Sequence, residues 1–106
     1  MSGNTLQRKV LIMNPQGFHL RPITAFAALA GRFQSNVTVS KDGRWVNGKS
    51  AIELMFLGAE HGTELLLQAS GPDAKDALDA LAALLSTVFS EEGDKDVPEP
   101  PLPQKG

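Results

Sequence analysis

The chain has no cysteine, only two histidines and no long apolar run. Without cysteine there is no disulfide framework, no thiolate nucleophile and no thiolate metal site, and two histidines do not by themselves make a metal cage. Neither a metal nor any other cofactor is therefore expected. No stretch approaches the ~20 apolar residues needed to span a bilayer. Met1-Ser2-Gly3-Asn4-Thr5 also lacks the basic-then-apolar layout of a secretory signal. A cytoplasmic protein without membrane insertion is the expectation. A strong charge of one sign is missing as well: the formal net charge is -2, and the ten Lys and Arg residues are scattered rather than clustered. No basic field is available to attract a phosphate backbone, so nucleic acid is not expected as a partner.

What remains is ordinary globular material. The 106 residues are 42% hydrophobic and 21% charged, which fits one domain able to bury roughly 60 to 70% of its unfolded surface. Residues 6–13 read as a strand closed by the turn residues Asn14-Pro15-Gln16-Gly17. From Pro22 to Phe33 the apolar residues Ile23, Phe26, Ala27, Ala30 and Phe33 recur at helical spacing, with Pro22 in the first turn. Val37–Lys41 and Arg44–Asn47 flank Asp42-Gly43, the dipeptide of a two-residue hairpin. Ser50-Ala51-Ile52-Glu53 has the form of a capping box at the head of a short helix stopped by Gly58. Glu64–Ser70 alternates as a strand, and Ala74, Ala77, Leu78, Leu81, Leu84, Leu85 and Val88 line a helix that starts after Gly71-Pro72. Trp45 and Phe56 are candidates for an aromatic binding surface, but with so few aromatics in the chain core or partly buried packing is the expectation for both.

The order strand, helix, strand, strand, helix, strand, helix predicts an α+β fold in which helices cover one face of an antiparallel sheet. After Ser90 the composition turns acidic and proline-rich, with four of the seven prolines at 98, 100, 101 and 103. Residues 1–90 are thus expected to form the domain, and 91–106 a disordered acidic tail.

Gly17-Phe18-His19-Leu20-Arg21-Pro22 is the most informative stretch, because it places a histidine where a loop becomes a helix. Helix-start amides and the positive end of the dipole favour an anion beside the ring, and they disfavour an imidazolium there. A neutral ring nitrogen is then available as a nucleophile, a phosphoryl group on it would be held by backbone donors, and Arg21 would add a charge-assisted grip. The plainer alternative is that His19 merely caps the helix or packs on the surface, and the residues alone leave both open. Ser50 likewise explains itself as an N-cap, or serves as a phosphorylation site at a helix start. His61, in a turn without a second ligand, reads as a solvated surface histidine.

Taken together, the ordered set N-P-Q-G-F-H-L-R-P, V-N-G-K-S, L-M-F-L-G-A and A-S-G-P-D-A resembles the HPr family of the phosphoenolpyruvate-dependent phosphotransferase system, over about residues 5–90. The combination of His-x-Arg-Pro with a Lys-Ser about thirty positions later is far more specific than either piece. The resemblance implies an open-faced β-sandwich of four antiparallel strands and three helices, in the order βαββαβα. It implies that His19 is phosphorylated on its δ1 nitrogen by enzyme I and donates to the IIA component of a sugar permease, with Arg21 steadying the phosphoryl group. In some bacteria of the family the serine matching Ser50 is the target of an ATP-dependent regulatory kinase (HPr kinase/phosphorylase), which makes Ser50 a candidate regulatory site. Partners in the family dock on the face formed by the His loop and the first two helices, here Phe18, Leu20, Thr24, Ala51, Ile52 and Met55. The carrier is expected to be a monomer and not an enzyme. Two positions depart from the family pattern: Leu20 replaces a usually small residue beside the histidine, and Glu53 stands where many relatives have a neutral or basic one. Two other classes stay in view. One is a regulatory module controlled through Ser50 without sugar transport. The other is a hydrolase using His19 as base, for which no serine, cysteine or metal constellation exists in the sequence.

Overall fold

The computed structural model describes residues 5–86, and the elements within that span follow the expected order. They are β1 (Thr5–Leu11), α1 (Leu20–Ala30), β2 (Asn36–Lys41), β3 (Arg44–Asn47), α2 (Ala51–Met55), β4 (Glu64–Ser70) and α3 (Ala74–Leu85). Val88, the domain boundary at 90 and the segment 91–106 lie outside the described residues.

The strands form one sheet in the order β1-β4-β2-β3, with every pairing antiparallel. The Asp42-Gly43 link folds as its residue types dictate: both have positive φ, 53° and 85°, the pair of values a two-residue type I′ turn needs. Alternation then sorts the side chains. Leu67 of β4 pairs with Val39 of β2, which pairs with Val46 of β3, and this row is buried under the helices. The neighbouring row Lys9, Leu66, Ser40 and Trp45 lies on the opposite, uncovered face. Helix α3 lies over β1 and β4, α1 packs on α3, and α2 sits against α1 and β3. Phe26, Ile23, Leu54, Leu65, Leu78 and Leu81 fill the space between the layers.

Several boundaries differ from the sequence expectation, for local reasons. Helix α1 begins two residues before Pro22, because His19 adopts an extended backbone as N-cap and its carbonyl accepts the first helical bond from Ile23 at 2.9 Å. Pro22 then occupies the third helical position, where a missing donor still costs nothing. The same helix stops at Ala30 rather than Phe33, since Arg32 and Phe33 turn tightly onto the carbonyls of Leu29 and Ala30. β1 ends at Leu11 instead of 13, with Ile12 exchanging bonds with Gly62 and Thr63 of a facing turn. The capping box is half closed: Ser50 Oγ accepts from the Glu53 amide at 3.2 Å, but the Glu53 carboxylate reaches the Asn47 amide, 2.9 Å away, and not that of Ser50.

The start of α3 is held differently from the simple Gly-Pro signal. The Asp73 carboxylate accepts from the amides of Gln34 and Ser35 and from the Ser35 hydroxyl, while the Asp73 amide donates to that hydroxyl. This knot fastens the α1–β2 link to the β4–α3 link. Hydrogen bonding, foremost from the Ser35 hydroxyl and then the Gln34 amide, holds the Asp73 carboxyl below its ordinary value.

Candidate functional site

The loop before α1 is built to hold one conformation. Gly17 has φ of +82°, and a Cβ there would stand 2.9 Å from the Ala59 carbonyl oxygen, so only glycine fits the turn without displacement. The Gly17 amide donates to the Asn14 carbonyl at 2.8 Å, and the buried Asn14 side chain donates back to the Gly17 carbonyl at 2.9 Å. The Phe18 amide donates to the Ala59 carbonyl at 2.9 Å. Sequence reasoning did not single out Asn14 and Gly17 as site residues; the Asn-Pro-x-Gly turn signal was the available cue.

His19 follows this fixed loop as the N-cap of α1, yet its side chain makes no cap hydrogen bond. Its Nε2 is buried and has no hydrogen-bond partner among the described residues. No acidic residue occupies the first turn of α1, so no carboxylate competes for the positive end of the helix. Arg21 is exposed in that turn, and its carbonyl accepts from the Thr24 hydroxyl at 3.0 Å.

Ser50 heads α2 next to α1, and Lys49 beside it donates to the Phe33 carbonyl at 2.8 Å, tying the turn after α1 to the segment that leads into α2. Leu20 on α1 and Ile52 and Met55 on α2 are well exposed, as is Thr24. Phe18 is a correction to the expected partner-facing set: it is only 6% exposed, and its ring packs edge-on against Phe26, centroids 5.8 Å apart. It anchors the loop instead of offering a surface. Ala51 is also half-buried against the core. The reverse correction applies to Phe56, expected in core or partly buried packing: it is 64% exposed just beyond α2, while Trp45 is 43% exposed on the uncovered face of the sheet and so lies outside the core. His61 is exposed, in line with the expectation for it. Among the described residues no group of His, Asp and Glu is placed to hold a metal, and no helix is long and apolar enough to cross a membrane.

Comparison with known proteins bears on this arrangement. The family model for the PTS HPr component phosphorylation site matches residues 6–87. The chain belongs to the HPr family. The phosphocarrier protein HPr of Cupriavidus necator is 42% identical over 86 residues, covering 81% of this chain and 97% of that protein. The HPr-like protein Crh of Bacillus subtilis is 44% identical over 78 residues, covering 74% and 92%. The crystal structure of HPr from Bacillus anthracis superposes with a TM-score of 0.74 at 34% identity, over 77% of this chain and 98% of that one. The open-faced HPr architecture expected from the motifs is therefore the architecture found, and the chain is an HPr-family phosphocarrier.

Proposed function

We propose that His19 accepts a phosphoryl group on Nδ1 from phosphorylated enzyme I and passes it to a IIA component of a phosphotransferase system. The observation that carries this reading is the setting of the ring: His19 stands at the head of α1 with Nε2 buried, which supports Nδ1 as the nitrogen that meets a phosphoryl donor. In the transfer Nδ1 attacks phosphorus, the bond from phosphorus to the donor's nitrogen breaks, and the second transfer reverses these roles toward the acceptor. The first-turn amides of α1 favour the added negative charge, and Arg21 supplies a guanidinium two residues from the ring. The protein turns over only within the relay, as a stoichiometric carrier and not as an enzyme acting on a small molecule.

Leu20, Thr24, Ile52 and Met55 form the exposed part of the docking face, an apolar surface of protein-binding character. Cytoplasmic placement follows from where enzyme I and IIA components operate. We read the working unit as a monomer; one crystal structure of Bacillus subtilis Crh is a domain-swapped dimer, and light scattering distinguishes 11.3 kDa from twice that mass. Regulation through Ser50 by HPr kinase/phosphorylase is the second reading, supported by the similarity to Crh, the catabolite repression HPr of Bacillus subtilis. Labelled phosphate supplied as phosphoenolpyruvate with enzyme I tests the first reading: acid-labile label on the wild type and none on His19→Ala is expected. Label retained by His19→Ala would overturn it.

A further inference from the structure

The β2–β3 hairpin breaks a pairing rule. Lys41 and Arg44 stand directly opposite one another, so their side chains leave the sheet on one face, the face shared with Val39 and Val46. Like charges so placed repel. The compensation lies at the carboxyl end of α2. Lys41 Nζ donates to the carbonyls of Leu57 and Gly58 at 3.1 and 3.2 Å, and Arg44 Nη1 donates to the Phe56 carbonyl at 3.1 Å. These carbonyls follow the last turn of α2, where a helix leaves acceptors without partners and where its dipole is negative.

The support matters because α2 is short. It has five residues and no basic residue in its own last turn, well below the ~12 to 15 residues at which an isolated helix becomes even marginally stable. Its carboxyl end is held from outside, by the buried Leu57 and by two cations from the hairpin. The side chains presented there are Met55 and Phe56, which are half or more exposed.

We propose that Lys41 and Arg44 are positioning residues for docking on enzyme I: by holding the Phe56, Leu57 and Gly58 carbonyls they fix the end of α2 from which Met55 and Phe56 meet that partner. This rests on the reading of the α1–α2 face as the docking surface. A partner that meets an ordered end of α2 does not have to order it, and preordering of a few side chains changes affinity by about three- to tenfold. The chemistry near His19 is not altered by the grip, so the effect belongs in the encounter and not in the transfer step.

The test varies the carrier concentration in phosphorylation by phosphoenolpyruvate and purified enzyme I, comparing the wild type with Lys41→Met, Arg44→Met and Lys41→Arg. Each methionine variant is expected to raise the carrier's KM about three- to tenfold while kcat stays within about twofold. Amide hydrogen exchange is expected to accelerate over residues 56–59 and to stay unchanged in β4, and Lys41→Arg restores both. An unchanged KM overturns the proposal, as does a raised KM with unchanged exchange at 56–59, which assigns the cations to direct partner contact. Uniform acceleration of exchange through β4 also overturns it, as general destabilisation. A wild-type protein that takes no label fails before any substitution is compared, and removes the carrier reading itself.

Discussion

Substituting alanine at two glycines separates the shape of the His19 loop from ordinary backbone preference. Gly17 and Gly43 have nearly the same φ, +82° and +85°, so alanine costs each about 1–2 kcal/mol for entering the left-handed region. Their surroundings differ. A Cβ at Gly43 meets nothing within 4 Å, whereas at Gly17 it lies 2.9 Å from the Ala59 oxygen and 3.1 Å from Glu60 Cα, both backbone atoms. Either the 14–19 loop or the 59–60 segment must yield, which adds about 1–3 kcal/mol as for other forced overpacking. With a urea slope near 1 kcal/mol/M, the smaller end for a domain of this size, Gly43→Ala should lower the unfolding midpoint by about 1–2 M and Gly17→Ala by about 1–3 M more. Because the loop that shifts carries His19, the maximal rate of phosphoryl acceptance should also fall in Gly17→Ala. Urea unfolding followed by circular dichroism reads the first effect. Equal midpoint losses in the two variants would refute the claim that the Ala59 contact shapes the site.

Two aromatic truncations should separate by burial: Phe18→Ala is expected to cost about 3–5 kcal/mol, and the exposed Phe56→Ala less than about 0.5 kcal/mol, measured by the same unfolding assay. Ser50→Ala should lose about 1 kcal/mol with the N-cap bond to Glu53, and a loss near zero would show that the cap contributes nothing. Asp73→Asn should reveal a pH dependence. The folded-state carboxyl titrates below its unfolded value, near 3.8, so the unfolded chain binds the proton first. The contribution is complete above about pH 4 and is lost as the pH falls through the folded value. The stability gap between wild type and Asp73→Asn should narrow from pH 6 to pH 3, and a constant gap would contradict the assigned role of the Ser35 bonds.

The elements with strict periodicity were legible in the sequence. Leu65, Leu67 and Ala69 give Glu64–Ser70 one apolar face despite the extra leucine at 66, and Asp42-Gly43 admits essentially one hairpin turn, so β4 and the β2–β3 link formed where expected. Helix ends were less legible, because they depend on which carbonyl takes the first or last bond, as His19 does for Ile23 and Leu29 for Arg32. Side-chain exposure at the site was the least legible. Phe18 and Phe56 are the same residue type beside equally suggestive motifs, and only the packing of α1 against the sheet sends one inward to Phe26 and leaves the other outside. The Glu53 bond to Asn47 and the grip of Lys41 and Arg44 on α2 are tertiary, joining the hairpin to a helix six or more residues away. No local pattern encodes such bonds. The His-x-Arg-Pro and Lys-Ser pieces carried the family through their joint spacing, since each alone has an ordinary structural explanation.

The most direct measurement is nitrogen-15 and phosphorus-31 magnetic resonance of the protein after incubation with phosphoenolpyruvate and enzyme I. The predicted result is a single phosphohistidine signal coupled to Nδ1 of His19. A signal on Nε2 of His19, on His61, or on no histidine would contradict the assignment of Nδ1 as the phosphoryl acceptor.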